Sequence, residues 1–496
     1  MAIIGIDLGT TTTVVARLNE VGKPQILMNW DNMPFTYSAL EFPDGTSGLP
    51  IIGLDDQARF GTNPNAFSEY KRNMGSDHAY QVGSRRYTAA DFSAIMLQRQ
   101  REHVFNELGP IQQLVITIPA NFGHRARQET LAAAAAAGLP VPVLVDEPTA
   151  AALFYVESSP SPLEGLCIVF DFGGGTLDVS LVDVRGRSVR VKGSKGVAQL
   201  GGMDLDRALL ELLKSKFESE FGPLTDGDSD LNEYLARNTK HRLTEAERAT
   251  VGIFSTQYGR KKVDVTKAEF EAVANPWISK ATNCCLGLLS DCGVRPAQVN
   301  HVFLAGGSSL VPAVRSAVES LFNRKPECRL PHQAIALGAA VYAASLVARD
   351  NPELLTPTQL EAIKPLQVQD VAPKCLGMLV TSLDGLVVNE LLVSKNQPIP
   401  FSVSRQFGVA IDGQRQVEFA LTQSDEPHAE PSLVEVVTTA YLQLPQGAKA
   451  GHRVEVFFSY DLGGLIEVKF KDLNGGNVTE CRLQGRDASL GGNQPL

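Results

Sequence analysis

The chain has 496 residues, room for about two to four domains, and 44% of them are apolar, enough for sizeable cores. A formal net charge of −10 and a pI of about 5.4 argue against nucleic-acid and anionic-membrane partners. Seven Cys without CxxC spacing fit a reduced, cytoplasmic protein whose thiols fill apolar space. No apolar run is long enough to span a bilayer, and a first strand starting at Ile3 predicts that no leader is removed.

Residues 1–18 read as a hairpin in which Ile3-Ile-Gly-Ile-Asp7 runs into Leu-Gly-Thr10-Thr11-Thr12 and back out along Val14 to Ala16. Short strands and turns follow to about 66, then Asn65-Ala-Phe-Ser-Glu-Tyr-Lys71-Arg72. Helical spacing covers 89–108 and ends at Gly109-Pro110. Leu114 to Pro119 is a buried strand. A helix over 123–137 ends in six alanines, best explained by close packing of helix on sheet, and stops at Gly138. Val141 to Val145 is a strand running into Asp146-Glu147-Pro148-Thr149, where Pro148 suits the first helical turn. Glu147 fits a helix-dipole partner, or a functional carboxylate at a strand end.

Cys167 to Ser180 repeats the plan of the first hairpin: an apolar strand, Asp171, then Phe-Gly173-Gly174-Gly175-Thr176-Leu-Asp178. Asp171 matches Asp7, Gly173 matches Gly9 and Thr176 matches Thr12. One such loop is equally well an ordinary glycine-rich hairpin. Two in two halves predict a duplicated domain with a ligand between them. Glycines let main-chain N–H groups approach phosphate oxygens, and the carboxylates suit a hard cation or its waters. Gly201-Gly202-Met203-Asp204 opens a helix to about Phe221, and a charged helix carrying Arg237, Lys240, His241 and Thr244 lies within 229–249. Strands are expected in 251–265 and a helix over 267–290. Val302 to Ala305, then Gly306-Gly307-Ser308-Ser309-Leu310, forms a third strand–glycine–helix turn with N–H groups for an anion or nucleotide. A small-residue helix covers Ala334 to Val347.

Composition changes near 350. Beyond 371 the sequence predicts strands at 376–381, 386–393, 402–407, 415–422, 433–444, 452–459 and 464–470, with turns at Asp384-Gly385 and Asp412-Gly413. This is a small all-β domain, followed by a polar tail over 485–496 expected to be disordered.

Asp7-Leu-Gly-Thr-Thr, Ile118-Pro-Ala, Asp146-Glu-Pro-Thr-Ala-Ala-Ala-Leu, Asp171-Phe-Gly-Gly-Gly-Thr-Leu-Asp178, Gly201-Gly-Met-Asp-Leu-Asp206 and Ala305-Gly-Gly-Ser-Ser resemble, in order and spacing, the heat shock protein 70 chaperones. Weaker likeness continues through Val371 to Gly377, Lys395 to Pro400 and Gly464 to Asp472. The resemblance implies an actin-like α/β ATPase domain of duplicated ribonuclease-H-like lobes, then a smaller β-sandwich. It divides the chain into 1–363 for the nucleotide, a linker at 364–370, and 371–484 for substrate or partner. It also implies ATP or ADP with Mg²⁺. Asp7, Asp171 and Asp178 would hold the ion, the first two through waters. Thr10, Thr11, Thr12, Gly173, Gly174 and Gly175 would contact the phosphates. Gly201, Gly202, Lys240, Thr244, Gly306, Gly307 and Ser308 would line the rest of the nucleotide. Lys71 would orient the attacking water, Glu147 would position that water or the metal shell, and Thr176 would touch the γ-phosphate, with Asp171 also in the catalytic set. Such phosphoryl transfer works by positioning and charge stabilisation. Met378, Phe407, Val417 and Phe419 fall where that family lines its peptide groove, and equally fit sandwich core.

The chain departs from the family pattern at Arg237, Leu310, Met203 and His332 on the base side, which puts adenine selectivity in doubt. Val143 stands where many relatives carry an Arg that meets J-domain co-chaperones. The linker is the less apolar Leu366-Gln-Val-Gln369, although Asp370 is kept. The chain also stops without the family's helical lid, so bound peptide is expected to leave fast. The expectation is a chaperone with weak Mg-dependent ATPase activity that binds extended peptide. J-domain and nucleotide-exchange partners are weakened, and there is no nucleic-acid or membrane partner. The alternative is a nucleotide-sensing scaffold that docks one fixed partner. A small-molecule kinase would need a further carboxylate base, and no motif supplies one.

Overall fold

The computed structural model describes residues 2–482 apart from 44, 46–48, 54–62, 226, 228, 383, 462–465 and 475–477. The tail expected at 485–496 and the first two residues of the Gly464–Asp472 likeness lie outside the described residues.

Two six-stranded sheets repeat one plan. In the first, Ala2–Leu8 pairs in parallel with Ile111–Ile118 and antiparallel with Thr12–Leu18. In the second, Glu164–Phe172 pairs in parallel with His301–Ala305 and antiparallel with Leu177–Arg185. Every residue of Ala2–Leu8 is buried, as a parallel strand covered on both faces requires. Val143–Asp146 closes one edge of the first sheet. It starts two residues later than the apolar run suggests, because Val141 is 89% exposed.

Helices fill the space between and outside the sheets. Ala89–Leu108 starts at a capping box, with Thr88 and Asp91 satisfying each other's main-chain N–H groups. It packs with His124–Ala136 on the outer face of the first sheet. In that second helix Ala133, Ala134 and the capping Ala137 are buried in the core behind the sheet, so the alanine run is packing. Gly202–Phe221, Lys267–Asp291 and Pro312–Phe322 cover the outer face of the second sheet with Leu205, Leu209, Phe217, Phe270 and Val318.

Between the sheets lie Glu147–Ser158 and Ala334–Asp350, in exchanged positions. The first leaves the first sheet and packs chiefly on the second; the other follows the second sheet and packs on the first. Where they cross there is no room for side chains. A Cβ on Gly338 would lie 1.7 Å from the Ala150 carbonyl oxygen.

The segment expected to be a free linker is a strand. Gln367–Val371 pairs in parallel with Ser188–Val197 on the second sheet and antiparallel with Pro398–Ile399 of the following domain. Leu366, just before it, is buried and donates its N–H to Ser345 Oγ at 2.8 Å. The C-terminal domain is a sandwich of two four-stranded sheets. One holds Val387–Val393, Cys375–Thr381, Gln416–Ser424 and Glu435–Gln443. The other holds Phe401–Gly408, Arg453–Tyr460, Ile466–Asp472 and Val478–Arg482. The architecture is therefore the actin-like α/β domain plus β-sandwich that the motifs imply.

The crossing of the two central helices makes Gly338 intolerant of any side chain. Gly338→Val is expected to cost at least about 1–3 kcal/mol, the usual price of overpacking, in urea unfolding of the full chain. Gly252→Ala, at an exposed strand position with nothing within 4 Å and no positive φ, is the comparison. Equal midpoints for the two variants would contradict this account of the crossing.

Candidate functional site

The two hairpins bring their carboxylates to one place. Asp7 ends the first strand of one sheet, Asp171 the equivalent strand of the other, and Asp178 stands directly across the hairpin from Asp171. Glu147 is delivered by the Val143–Asp146 strand, which continues into its helix without a gap. Opposite lies Lys71, its Nζ 2.5 Å from Glu147 Oε1. All five are buried: relative exposure is 9% for Asp7, 5% for Lys71 and Glu147, 4% for Asp171 and 0% for Asp178.

Four carboxyls facing one ammonium group is a charge imbalance that a dry interior resists. Burial pushes Asp7 up to about 7, with Glu147 adding to the rise and Lys71 and the Thr117 hydroxyl opposing it. Burial, then Glu147 and Asp146, push Asp178 up to about 8, and Lys71 opposes the rise. Asp171 is raised well above the ordinary carboxylate range by burial, then by Glu147, Asp178 and Asp7. Its Oδ1 has no hydrogen-bond partner among the described residues. This donor set, hard oxygens with excess negative charge, fits Mg²⁺. Among the described residues no three His, Cys, Asp or Glu side chains are grouped closely enough to hold an ion directly.

Around the carboxylates the loops interlock. Gly9 N–H bonds to Thr12 O at 3.0 Å, and Gly173 N–H to Thr176 O at 3.0 Å, so both turns close alike. Thr10 is buried, and the Thr11 hydroxyl is buried with no partner among the described residues. The loops face each other: a Cβ on Gly174 would lie 2.0 Å from Thr11 Oγ1. Gly202 and Met203 N–H bond to the carbonyls of Gly173 and Gly174 at 3.0 and 2.9 Å. Ser308 Oγ–H bonds to Gly173 O at 2.7 Å. Gly201, Gly202 and Ser308 thus back the central loop.

The far side is occupied by the protein's own contacts. Lys240 Nζ is 2.7 Å from Asp206 Oδ1 and donates to Gly202 O at 3.0 Å. Arg237 Nε holds the other oxygen of the same Asp206 at 3.1 Å. Thr244 spends its hydroxyl on Lys240 O at 3.1 Å. Burial and then Lys240 depress His241 to about 4. His332 lies against Gly307. The third glycine turn differs from its expected form: a 3-10 turn, Gly307–Leu310, precedes the helix at Pro312. The N–H groups of Gly306, Ser309 and Val311 are already bound to main-chain carbonyls, which leaves the turn fewer free donors.

Two arginines were not marked by any motif. Lys71 and Arg72 share the 3-10 turn Tyr70–Asn73, entered through Glu69 at φ 62. That left-handed backbone costs a non-glycine residue about 1–2 kcal/mol. The turn aims Lys71 at Glu147 and Arg72 at Gly175 O. Adjacency to Lys71 is the one signal the sequence carried for Arg72. Arg127 is buried and pairs with Asp146 at 2.8 Å, beside Asp370 and Tyr460. It stands where the first lobe, the linker strand and the sandwich meet. Thr149 Oγ1–H reaches Asp370 Oδ2 at 3.3 Å, and Ser194 N–H reaches Asn396 Oδ1 of the sandwich at 3.3 Å.

Of the four residues given both as groove and as core, Met378 and Phe419 are 1% and 2% exposed in the sandwich interior. Phe419 stacks on Phe470 with centroids 4.1 Å apart. Phe407 and Val417 are half-buried against that core. In this arrangement the first two are core side chains, because inward positions on facing sheets close on each other.

Asp7 and Asp178 hold a proton more tightly folded than unfolded. Their contribution to stability is complete below about pH 4 and is lost as pH rises through about 7 to 8. Metal-free protein should melt at a lower temperature at about pH 8.5 than at about pH 5.5, and Mg²⁺ should restore more at the higher pH. Equal Mg²⁺ increments at the two pH values would remove the carboxylates as its holders.

One comparison with known proteins bears on this geometry: the family model described as Hsp70 protein matches residues 3–491. That span takes in both hairpins, Lys71, Glu147, the linker strand and the sandwich. Members of that family bind ATP or ADP with Mg²⁺, and generally bind unfolded peptides and co-chaperones. This chain belongs to the Hsp70 family and is a chaperone of that type.

Proposed function

We propose that the chain binds ATP between its two hairpin loops, hydrolyses it slowly, and uses the nucleotide state to set peptide or partner binding by the sandwich. In this scheme residues 1–363 hold the nucleotide, 364–370 transmit, and 371–484 bind. The observation that carries it is the buried cluster of Asp7, Glu147, Asp171 and Asp178 against Lys71, at the ends of duplicated hairpins. Bound Mg²⁺ would supply charge neutralisation for the phosphates. Lys71, fixed by Glu147, points its ammonium where a γ-phosphate gains negative charge, and Glu147 accepts from a water held beside it. Thr10, Thr11, Thr12 and Thr176, with the N–H groups of Gly173 to Gly175, orient the phosphate chain. No covalent enzyme intermediate is needed.

The coupling route is one continuous sheet. The central loop lies between Glu164–Phe172 and Leu177–Arg185; the latter pairs with Ser188–Val197, which pairs with the linker strand, which pairs with Pro398–Ile399 of the sandwich. A change in how the second lobe sits on a nucleotide therefore reaches the sandwich through hydrogen-bonded neighbours. A second scheme is a nucleotide-sensing scaffold with little hydrolysis and one fixed partner. The burial of Met378 and Phe419 favours it, since an extended peptide would first have to open the sandwich.

Single-turnover hydrolysis separates the two. Lys71→Ala and Thr176→Ala are each expected to slow it by roughly 10²–10³-fold, as removal of one charge-stabilising group does. Rates untouched by both substitutions leave only the scaffold. Peptide affinity with ATP and with ADP is expected to differ by about 5–150-fold, the usual span of such coupling; identical affinities would sink the coupling.

A further inference from the structure

Arg72 lies between the lobes and is used by neither scheme above. It belongs to the first lobe, on the turn after Glu69, and Nη1 stays 3.9 Å from Glu69 Oε2, yet its hydrogen bonds go to the second. Nε and Nη2 donate to Gly175 O at 3.0 and 2.7 Å, and Nη2 also reaches Asp204 Oδ2 at 3.2 Å. Both side chains are only 10% exposed. Asp204 in turn accepts from Gly201 N–H at 2.8 Å. A solvent-facing tier continues outward. Arg207 is 3.6 Å from Glu69, 3.7 Å from Asp204 and 2.9 Å from Glu233. One network thus joins the turn carrying Lys71, the glycine loop and the start of the Gly202–Phe221 helix.

We propose that Arg72 is a positioning residue that pins the glycine loop and latches the two lobes together, so that it governs how long a nucleotide stays. The proposal rests on ATP lying between the hairpin loops. In a trans peptide the carbonyl and the next N–H point in opposite directions. With Gly175 O held by Arg72, the Thr176 N–H is turned away from that arginine. Releasing the carbonyl frees that peptide plane to rotate. Because the planar guanidinium serves a carbonyl and a carboxylate at once, a lysine, as a single point donor, replaces only part of it. The outer tier around Arg207 is exposed and should be screened by salt, while the inner pair should not.

The full chain is tested as Arg72→Met, Arg72→Lys and Arg207→Met. The first readout is amide hydrogen exchange over 173–176 and 201–204 without nucleotide. The second is stopped-flow release of a fluorescent ATP analogue with Mg²⁺. Loss of a charge-assisted hydrogen bond predicts exchange and release faster by roughly 10- to 100-fold in Arg72→Met. Arg72→Lys should lie between this and the parent, and Arg207→Met should act only at low salt. Parent-like exchange and release in Arg72→Met overturn the pin. If that variant does not fold, parent-like values in Arg72→Lys overturn it instead. A parent chain that binds no nucleotide overturns the ATP site, and the exchange rates then decide the pin by themselves.

Discussion

A buried surplus of negative charge organises this molecule. Asp7, Glu147, Asp171 and Asp178 come from four different strand ends in two lobes, and among the described residues Lys71 is the cation that answers them. Such a cluster cannot be left dry and ionised. It must keep protons, admit a cation, or move apart. All three outcomes act where the two lobes meet, because Asp7 belongs to one lobe and Asp171 and Asp178 to the other.

The rest of the architecture connects this centre to the sandwich. The glycine loop is held from behind by Gly202, Met203 and Ser308 and from the front by Arg72, so it cannot shift without moving the helix that begins at Gly202. The linker is the fifth strand of the second sheet and the sandwich contributes the sixth. Near that junction Arg127, Asp146 and Asp370 crowd two acids around one base. Asp146 is pushed up to about 7, chiefly by burial, with Arg127 opposing and Asp370 adding to the rise. The interdomain contact thus stands one residue from Glu147 at the centre.

Much of this was legible beforehand. The duplicated Asp-x-Gly hairpins, the strand running into Glu147 and the helices at 89–108 and 267–290 declare themselves by periodicity and by glycine placement, which are local properties. The alternation after 371 marks seven of the eight sandwich strands and misses Val478–Arg482. What local pattern could not carry is pairing. The linker's Gln367 to Asp370 has the composition of a connector and becomes a strand because the edge of Ser188–Val197 is free to receive it. Lys240 and Thr244 look available to a ligand in sequence, yet Asp206 and their own helix occupy them. Met378 and Phe419 could be groove or core, since either needs an inward apolar side chain, and only the distance between the sheets decides.

The crossing at Gly338 and Ala150 has a consequence for how such a molecule bends. Interlocked side chains make helix contacts behave like gear teeth, stable in one setting and costly to slip. At Gly338 and Ala150 main chain lies on main chain. A contact of that kind acts as a plain bearing: it resists being pulled apart, but turns through small angles without any rotamer having to jump. The exchanged helices also mean that each half carries the inner wall of the other. The two halves therefore form a single folding unit.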